Sequence, residues 1–162
     1  MALIVQKYGG TSIGTVDRIK NVAHKIKKWR DQGNDLVIVV SAMSGETNRL
    51  IGLAKEITSH PSPRELDMIL TTGEQVTIGL LAIALETIGV PAISFTGQQV
   101  GIVTDQSFNK ARIQTIDNQK IRAELDAGKF FFMFGFINFI IIYFKIRFVC
   151  FFLLVVLVCV QE

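Results

Sequence analysis

Lys7-Tyr8-Gly9-Gly10-Thr11-Ser12 sets a cation, two glycines and two hydroxyls side by side. Such a loop suits a phosphate, because glycines let backbone N–H groups approach a ligand, while a lysine and a helix N-terminus both favour negative charge. It lacks the G-x-x-x-x-G-K-[ST] and G-x-G-x-x-G spacings of the common nucleotide loops, and a plain strand-to-helix turn explains the glycine pair equally well. A second stretch, Ser41-Ala42-Met43-Ser44-Gly45-Glu46-Thr47-Asn48, offers Ser44 and Thr47 to a substrate carboxylate or phosphate, although these residue types are also ordinary helix caps. Glu74 stands beside Gly73 within an otherwise apolar segment. A carboxylate is costly to bury alone, so Glu74 calls either for a cationic ligand group, such as an amino-acid ammonium, or for a structural ion pair. His24 and His60 are isolated, and Cys150 and Cys159 have neither a metal-ligand spacing nor a second pair. Neither a metal site nor a histidine triad nor a disulfide scaffold follows from them.

The segments around these residues read as strands and helices in alternation. Leu3–Val5 is a buried strand running into the glycine loop, and Leu36–Val40 is an unbroken apolar run of the kind covered on both faces. Between them, Thr15 caps a helix whose apolar stripe is Val16, Ile19, Val22, Ala23, Ile26 and Trp29, with Arg18, Lys20, Lys25, Lys27, Lys28 and Arg30 on its solvated faces. A helix is expected from Arg49 to Ile57. Another starts with Ser62 as cap, Pro63 in the first position and Glu65 closing a capping box; it runs from Leu66 to Ile88, interrupted at Thr71–Gln75 and belonging inside the protein. Pro91–Phe95 is the next strand, Thr96–Gln99 a turn, Gly101–Thr104 and Ala111–Ile116 short extended pieces, and Asn118–Ala127 a last helix capped by Asp117. The order predicts an α/β fold, a mostly parallel sheet with helices on both faces. Both polar loops then fall at the carboxyl ends of strands, where such sheets bind ligands.

The composition excludes some functions. With 49% hydrophobic residues the chain has material for a core, and its net charge of +3 is too small and too dispersed for a nucleic-acid stripe. No basic segment followed by a long apolar run opens the chain, so a cytoplasmic location is expected. The composition also breaks: ten of the 12 phenylalanines lie after Lys129. We therefore divide the chain into residues 1–129 and a Phe/Ile-rich tail, 130–162. Its apolar runs, Phe130–Phe144 and Phe148–Val160, are split by Lys145 and Arg147, and each falls short of the roughly 20 residues of a membrane span. Three readings stay open: a tilted span that tolerates those charges, a replacement core strand, and translated sequence outside its proper reading frame. The composition favours the third.

Four motifs, Lys7–Ser12, Val39–Ser44, Thr72-Gly73-Glu74-Gln75 and Phe95–Ile102, stand in the order and spacing of the amino-acid kinase family, and residues 2–129 resemble the N-terminal half of its aspartate kinase branch. The resemblance implies that fold, here incomplete, and ATP-dependent phosphorylation of the side-chain carboxylate of L-aspartate in lysine, threonine and methionine biosynthesis. It implies that Lys7, Tyr8, Gly9 and Gly10 meet ATP, with Lys7 as the catalytic cation, and that Ser41, Thr47 and Glu74 face L-aspartate. Mg²⁺ is implied through ATP, with no protein-held metal, and full-length members form homo-oligomers. Glutamate and acetylglutamate kinases share the fold and the lysine-glycine loop, but Thr47 and Glu74 in their context favour aspartate. After Lys129 the family continues with a valine-rich strand, a Gly-Phe-Gln-Gly turn and a nucleotide-binding half, in place of which this chain has its tail. Little or no kinase activity is therefore expected of it, and a membrane-tethered fragment without enzymatic function is the alternative.

Overall fold

Apolar runs too short for helices bury themselves as strands, and in the computed structural model they do so side by side. The structure describes residues 2–108, 110–117, 119, 122, 123, 126, 130–134 and 156–160. Strand β1 (Leu3–Tyr8) pairs in parallel with β2 (Asp35–Val40), Leu3 opposite Asp35 and Tyr8 opposite Val40. Helix α1 (Val16–Asp31) makes the crossover. Thr15 caps it as expected, its hydroxyl accepting from the Arg18 N–H at 3.3 Å. Helix α2 (Glu46–Ile57) and helix α3 (Pro63–Glu86) then lead to β3 (Ala92–Phe95). A separate antiparallel pair, β4 (Val103–Thr104) and β5 (Ile113–Thr115), follows.

The main sheet is completed by β6 (Phe130–Phe134) and β7 (Val156–Val160), in the order β3-β6-β2-β1-β7. All its pairings are parallel. The expected division at residue 129 is thus not a division of the sheet: β6 lies between β2 and β3, with Phe131 opposite Val37 and Ile93. A central parallel strand asks only for continuous apolar character and β propensity, and Phe130–Phe134 has both. Residues 135–155, and with them Cys150 and most of the two apolar runs, lie outside the described residues.

Along a strand, alternate residues face opposite sides. Ile4, Tyr8, Leu36, Ile38 and Val40 share a core with Ile19, Val22, Ala23 and Ile26 of α1 and with Ile78, Leu81 and Leu85 of α3. Each such aliphatic side chain contributes about 1.5–3 kcal/mol on full burial. Leu3, Val5, Val37 and Val39, on the opposite face, are equally buried.

Four expectations are corrected. Helix α2 begins at Glu46 rather than Arg49, because Gly45, at φ 81°, turns the chain and its carbonyl accepts from the Arg49 N–H at 2.9 Å. Ser62 makes no side-chain cap bond and Glu65 pairs with Arg64, so no capping box forms. Helix α3 runs through Thr71–Gln75 without interruption, the Thr71 and Thr72 hydroxyls donating back to the Met68 and Ile69 carbonyls of the same helix at 2.9 and 2.7 Å. Nor is α3 wholly interior: Met68, Val76 and Ile83 are exposed on its outer side. The expected helix Asn118–Ala127 lies largely outside the described residues; Asp117 does accept from the Gln119 N–H at 2.9 Å.

Candidate functional site

Strand β1 ends at Tyr8, and the chain turns at once, with the Ser12 N–H donating to the Gly9 carbonyl at 3.0 Å. Ile13, with no exposed surface, pins the loop to the core, and the Arg18 guanidinium reaches back from α1 to the Thr11 carbonyl. Gly9 leaves its surroundings open: a Cβ placed there would meet nothing within 4 Å. An approaching anion therefore finds free space over the Gly9 backbone, and Lys7, half-buried, makes no ion pair among the described residues. These features fit a phosphate.

The second loop continues the sheet ladder for one residue, Ser41 donating its N–H to the Tyr8 carbonyl at 3.2 Å. It is then held by glycines. A Cβ on Gly10 would lie 3.0 Å from the Ala42 carbonyl oxygen, and one on Gly14 would lie 2.9 Å from the Ser44 Cβ. From the other side, a Cβ on Gly73 of α3 would lie 3.1 Å from the Ala42 Cβ and 3.3 Å from the Glu46 Cγ. The phosphate-type loop, the hydroxyl-rich loop and the middle of α3 therefore meet at Ala42. Glu46 is held by Arg49 through two bonds of 2.9 and 2.7 Å, which keeps its carboxyl below the usual range.

Glu74 follows Gly73 on α3. Burial raises its carboxyl above the ordinary glutamate value, and the N–H groups of Glu74 itself and of Ala42 work against that rise. Among the described residues no Lys, Arg or His side chain pairs with it. Of the two explanations open from the sequence, the structural ion pair is not found there. A half-buried carboxylate with only backbone donors attracts a cation, since an opposite charge close by restores the ionised form that burial disfavours.

The structure gathers Gly10, Ser41 and Glu74 around the Ala42 hub. Thr47 lies exposed on the first turn of α2, and Ser41 is half-buried. Lys7 comes from the sheet face opposite Tyr8, by strand alternation, whereas α3 packs on the Tyr8 face. The Tyr8 side chain is turned into the core, which leaves its backbone to face the loop: it is 1% exposed, its hydroxyl donates to Gln6 Oε1 at 2.9 Å, and burial pushes it up to about 12. Gln6 was not legible as a buried polar partner, because it stands between an apolar run and Lys7 like a residue leaving the core; its Nε2 has no partner among the described residues. Gly73 and Gly14 were also missed, since no local pattern tells which glycine another element will touch. Among the described residues no three His, Cys, Asp or Glu side chains gather to hold a metal.

The sequence profile of the amino acid kinase family matches residues 2–141, which takes in β6. An aspartate kinase of Pseudomonas putida is 65% identical over 136 residues, covering 84% of this chain and 33% of that protein. The chain thus spans about a third of the length of the relatives it matches. The crystal structure of aspartate kinase from Synechocystis superposes with a TM-score of 0.73 at 48% identity, over 85% of this chain and 23% of that one. E. coli aspartokinase III in complex with aspartate and ADP superposes at 0.71 with 20% identity, over 83% of this chain and 40% of that one, a likeness of fold.

Proposed function

From its membership of the amino acid kinase family, we propose that this chain is the N-terminal part of an aspartate kinase, the part that presents the lysine-glycine loop and the amino-acid side of the site. The observation that carries this reading is Glu74: a half-buried carboxylate with no cationic partner among the described residues, beside the two loops that suit anions. It would hold the ammonium of L-aspartate, with Ser41 and Thr47 offering hydroxyls to the substrate carboxylate. E. coli aspartokinase III, of the same fold, has aspartate and ADP as ligands.

In the reaction, a side-chain carboxylate oxygen of aspartate bonds to the γ-phosphorus of ATP as the bond from that phosphorus to the β,γ-bridging oxygen breaks, giving ADP and an acyl phosphate. The acceptor is already an anion and needs no general base. What phosphoryl transfer asks of a protein is positioning and charge neutralisation. Lys7 and the Gly9 and Gly10 amides would neutralise phosphate charge, and Glu74 would orient the acceptor. Mg²⁺, carried by the nucleotide, would screen the repulsion between the two anionic substrates.

Thr47 and Glu74 in their sequence context favour aspartate over glutamate or acetylglutamate as the acceptor. We place residues 1–129, with β6, in the kinase domain and leave the Phe/Ile-rich remainder outside it. The chain by itself is then expected to turn over little or not at all. Hydroxylamine trapping of acyl phosphate from ATP and aspartate should give no signal above a no-enzyme blank. Robust hydroxamate formation would contradict the need for the part of the relatives' length that this chain does not span.

A further inference from the structure

Gly73 stands where α3 packs tightly against the hydroxyl-rich loop, and no role follows for it from the chemistry above. The position of its absent Cβ is 3.1 Å from the Ala42 Cβ, 3.3 Å from the Glu46 Cγ and 3.5 Å from the Leu50 Cδ1. Contacts of 3.1 and 3.3 Å between carbons lie inside the optimal 3.5–4.0 Å separation, so a Cβ here asks its neighbours in the loop and on α2 to give by a few tenths of an ångström. Gly79, about one and two-thirds turns further along the same helix, is a natural contrast, because a Cβ there meets nothing within 4 Å. In a helix interior glycine is worse than alanine by about 0.8–1 kcal/mol. At position 79 nothing in the packing offsets that penalty, whereas at position 73 the close approach does.

We infer that Gly73 is a positioning residue for the substrate site: its missing side chain lets α3 abut Ala42, and that contact holds Glu74, the next residue of α3, beside the hydroxyl-rich loop that follows β2. The inference rests on the reading of Glu74 as the ammonium partner. It adds a residue that touches no substrate and acts through Glu74 alone. The direction of the Glu74 environment agrees, since the Ala42 N–H is among the groups that favour its charged form. Glu46, the other carboxylate at this contact, is engaged by Arg49 and does not compete.

The test uses the full chain and two readouts. The first is the amide signal of residue 42 in ¹H–¹⁵N spectra and its response to Glu74→Gln; the second is the affinity for L-aspartate by calorimetry. Gly73→Ala should abolish the response at residue 42 and weaken aspartate binding about tenfold or more, as small misplacements of an orienting group do. Gly79→Ala should leave both unchanged. Adding Ala42→Gly to Gly73→Ala removes the carbon that the new Cβ strikes, and should restore the response and most of the affinity. Retention of both readouts in Gly73→Ala, or equal losses in Gly79→Ala, would overturn the inference. Should Gly73→Ala fail to fold, the double variant decides: a folded double variant with the response restored supports the inference, and an unfolded one overturns it. If the residue 42 response follows the expected pattern while the parent chain binds no aspartate, the ammonium reading of Glu74 fails and the positioning role of Gly73 stands.

Discussion

The loops after β1 and β2 are alike in sequence character and differ in what holds them. The first, Gly9 to Thr15, is fastened by side chains of its own and of the helix it enters: Ile13 is buried, Thr15 caps α1, and Arg18 of α1 bonds the Thr11 carbonyl. The second, Ser41 to Gly45, has no side-chain cap at α2 and is fastened from outside, gripped by the bare backbones of Gly10, Gly14 and Gly73. A loop that meets a mobile, highly charged ligand gains from internal bonds, because they survive when the ligand leaves. A loop that must report the position of a helix gains from contact, because its place is then set by that helix. On this comparison Glu74 is positioned by packing, and the Gly9 amides by hydrogen bonds and one buried side chain.

The difference can be broken at its strongest point first. Ile13→Ala should cost about 2–5 kcal/mol, the range for large-to-small core changes, and should disturb the first loop while the residue 42 amide keeps its response to Glu74→Gln. Urea unfolding together with amide shifts checks both halves of that statement. Thr15→Ala removes a cap and should cost about 1 kcal/mol; hydrogen exchange should rise in the first turn of α1 and stay unchanged in α2, which has no such cap to lose. The smallest effect sharpens the contrast through pH. Burial raises the Glu74 carboxyl above its ordinary value of 4.5, so in the ligand-free chain its contribution to stability is present below 4.5 and lost as pH rises through the raised value. Glu74→Gln should therefore be more stable than the parent at pH 7, the gap closing as pH falls below 4.5. A variant less stable at pH 7 would mean that the carboxylate has a structural cation after all.

Much of this arrangement is written locally. Period and run length identify β1, α1, β2 and β3, because each buries a face whose residues recur every two or every three to four positions. Glu74 announces itself as a lone acid in an apolar segment. What stays hidden depends on partners distant in sequence. Tyr8 looks like a loop residue until strand alternation turns its ring into the core beside Gln6. Thr71-Thr72-Gly73 looks like a break until the hydroxyls fold back on the helix and Gly73 meets Ala42. Phe130–Phe134 looks foreign by composition, yet a central strand position asks only for apolar residues. Local chemistry names the groups that can act, and long-range contact decides which of them share a place.

The central claim is that Glu74 waits for an ammonium group. Titrating the chain with L-aspartate and, separately, with succinate, which has both carboxylates and no amine, tests it most directly. The account predicts that aspartate shifts the Glu74 and Ala42 amide signals, that succinate does not, and that Glu74→Gln removes the difference. Equal shifts by the two ligands, or a response to aspartate that survives Glu74→Gln, would contradict it.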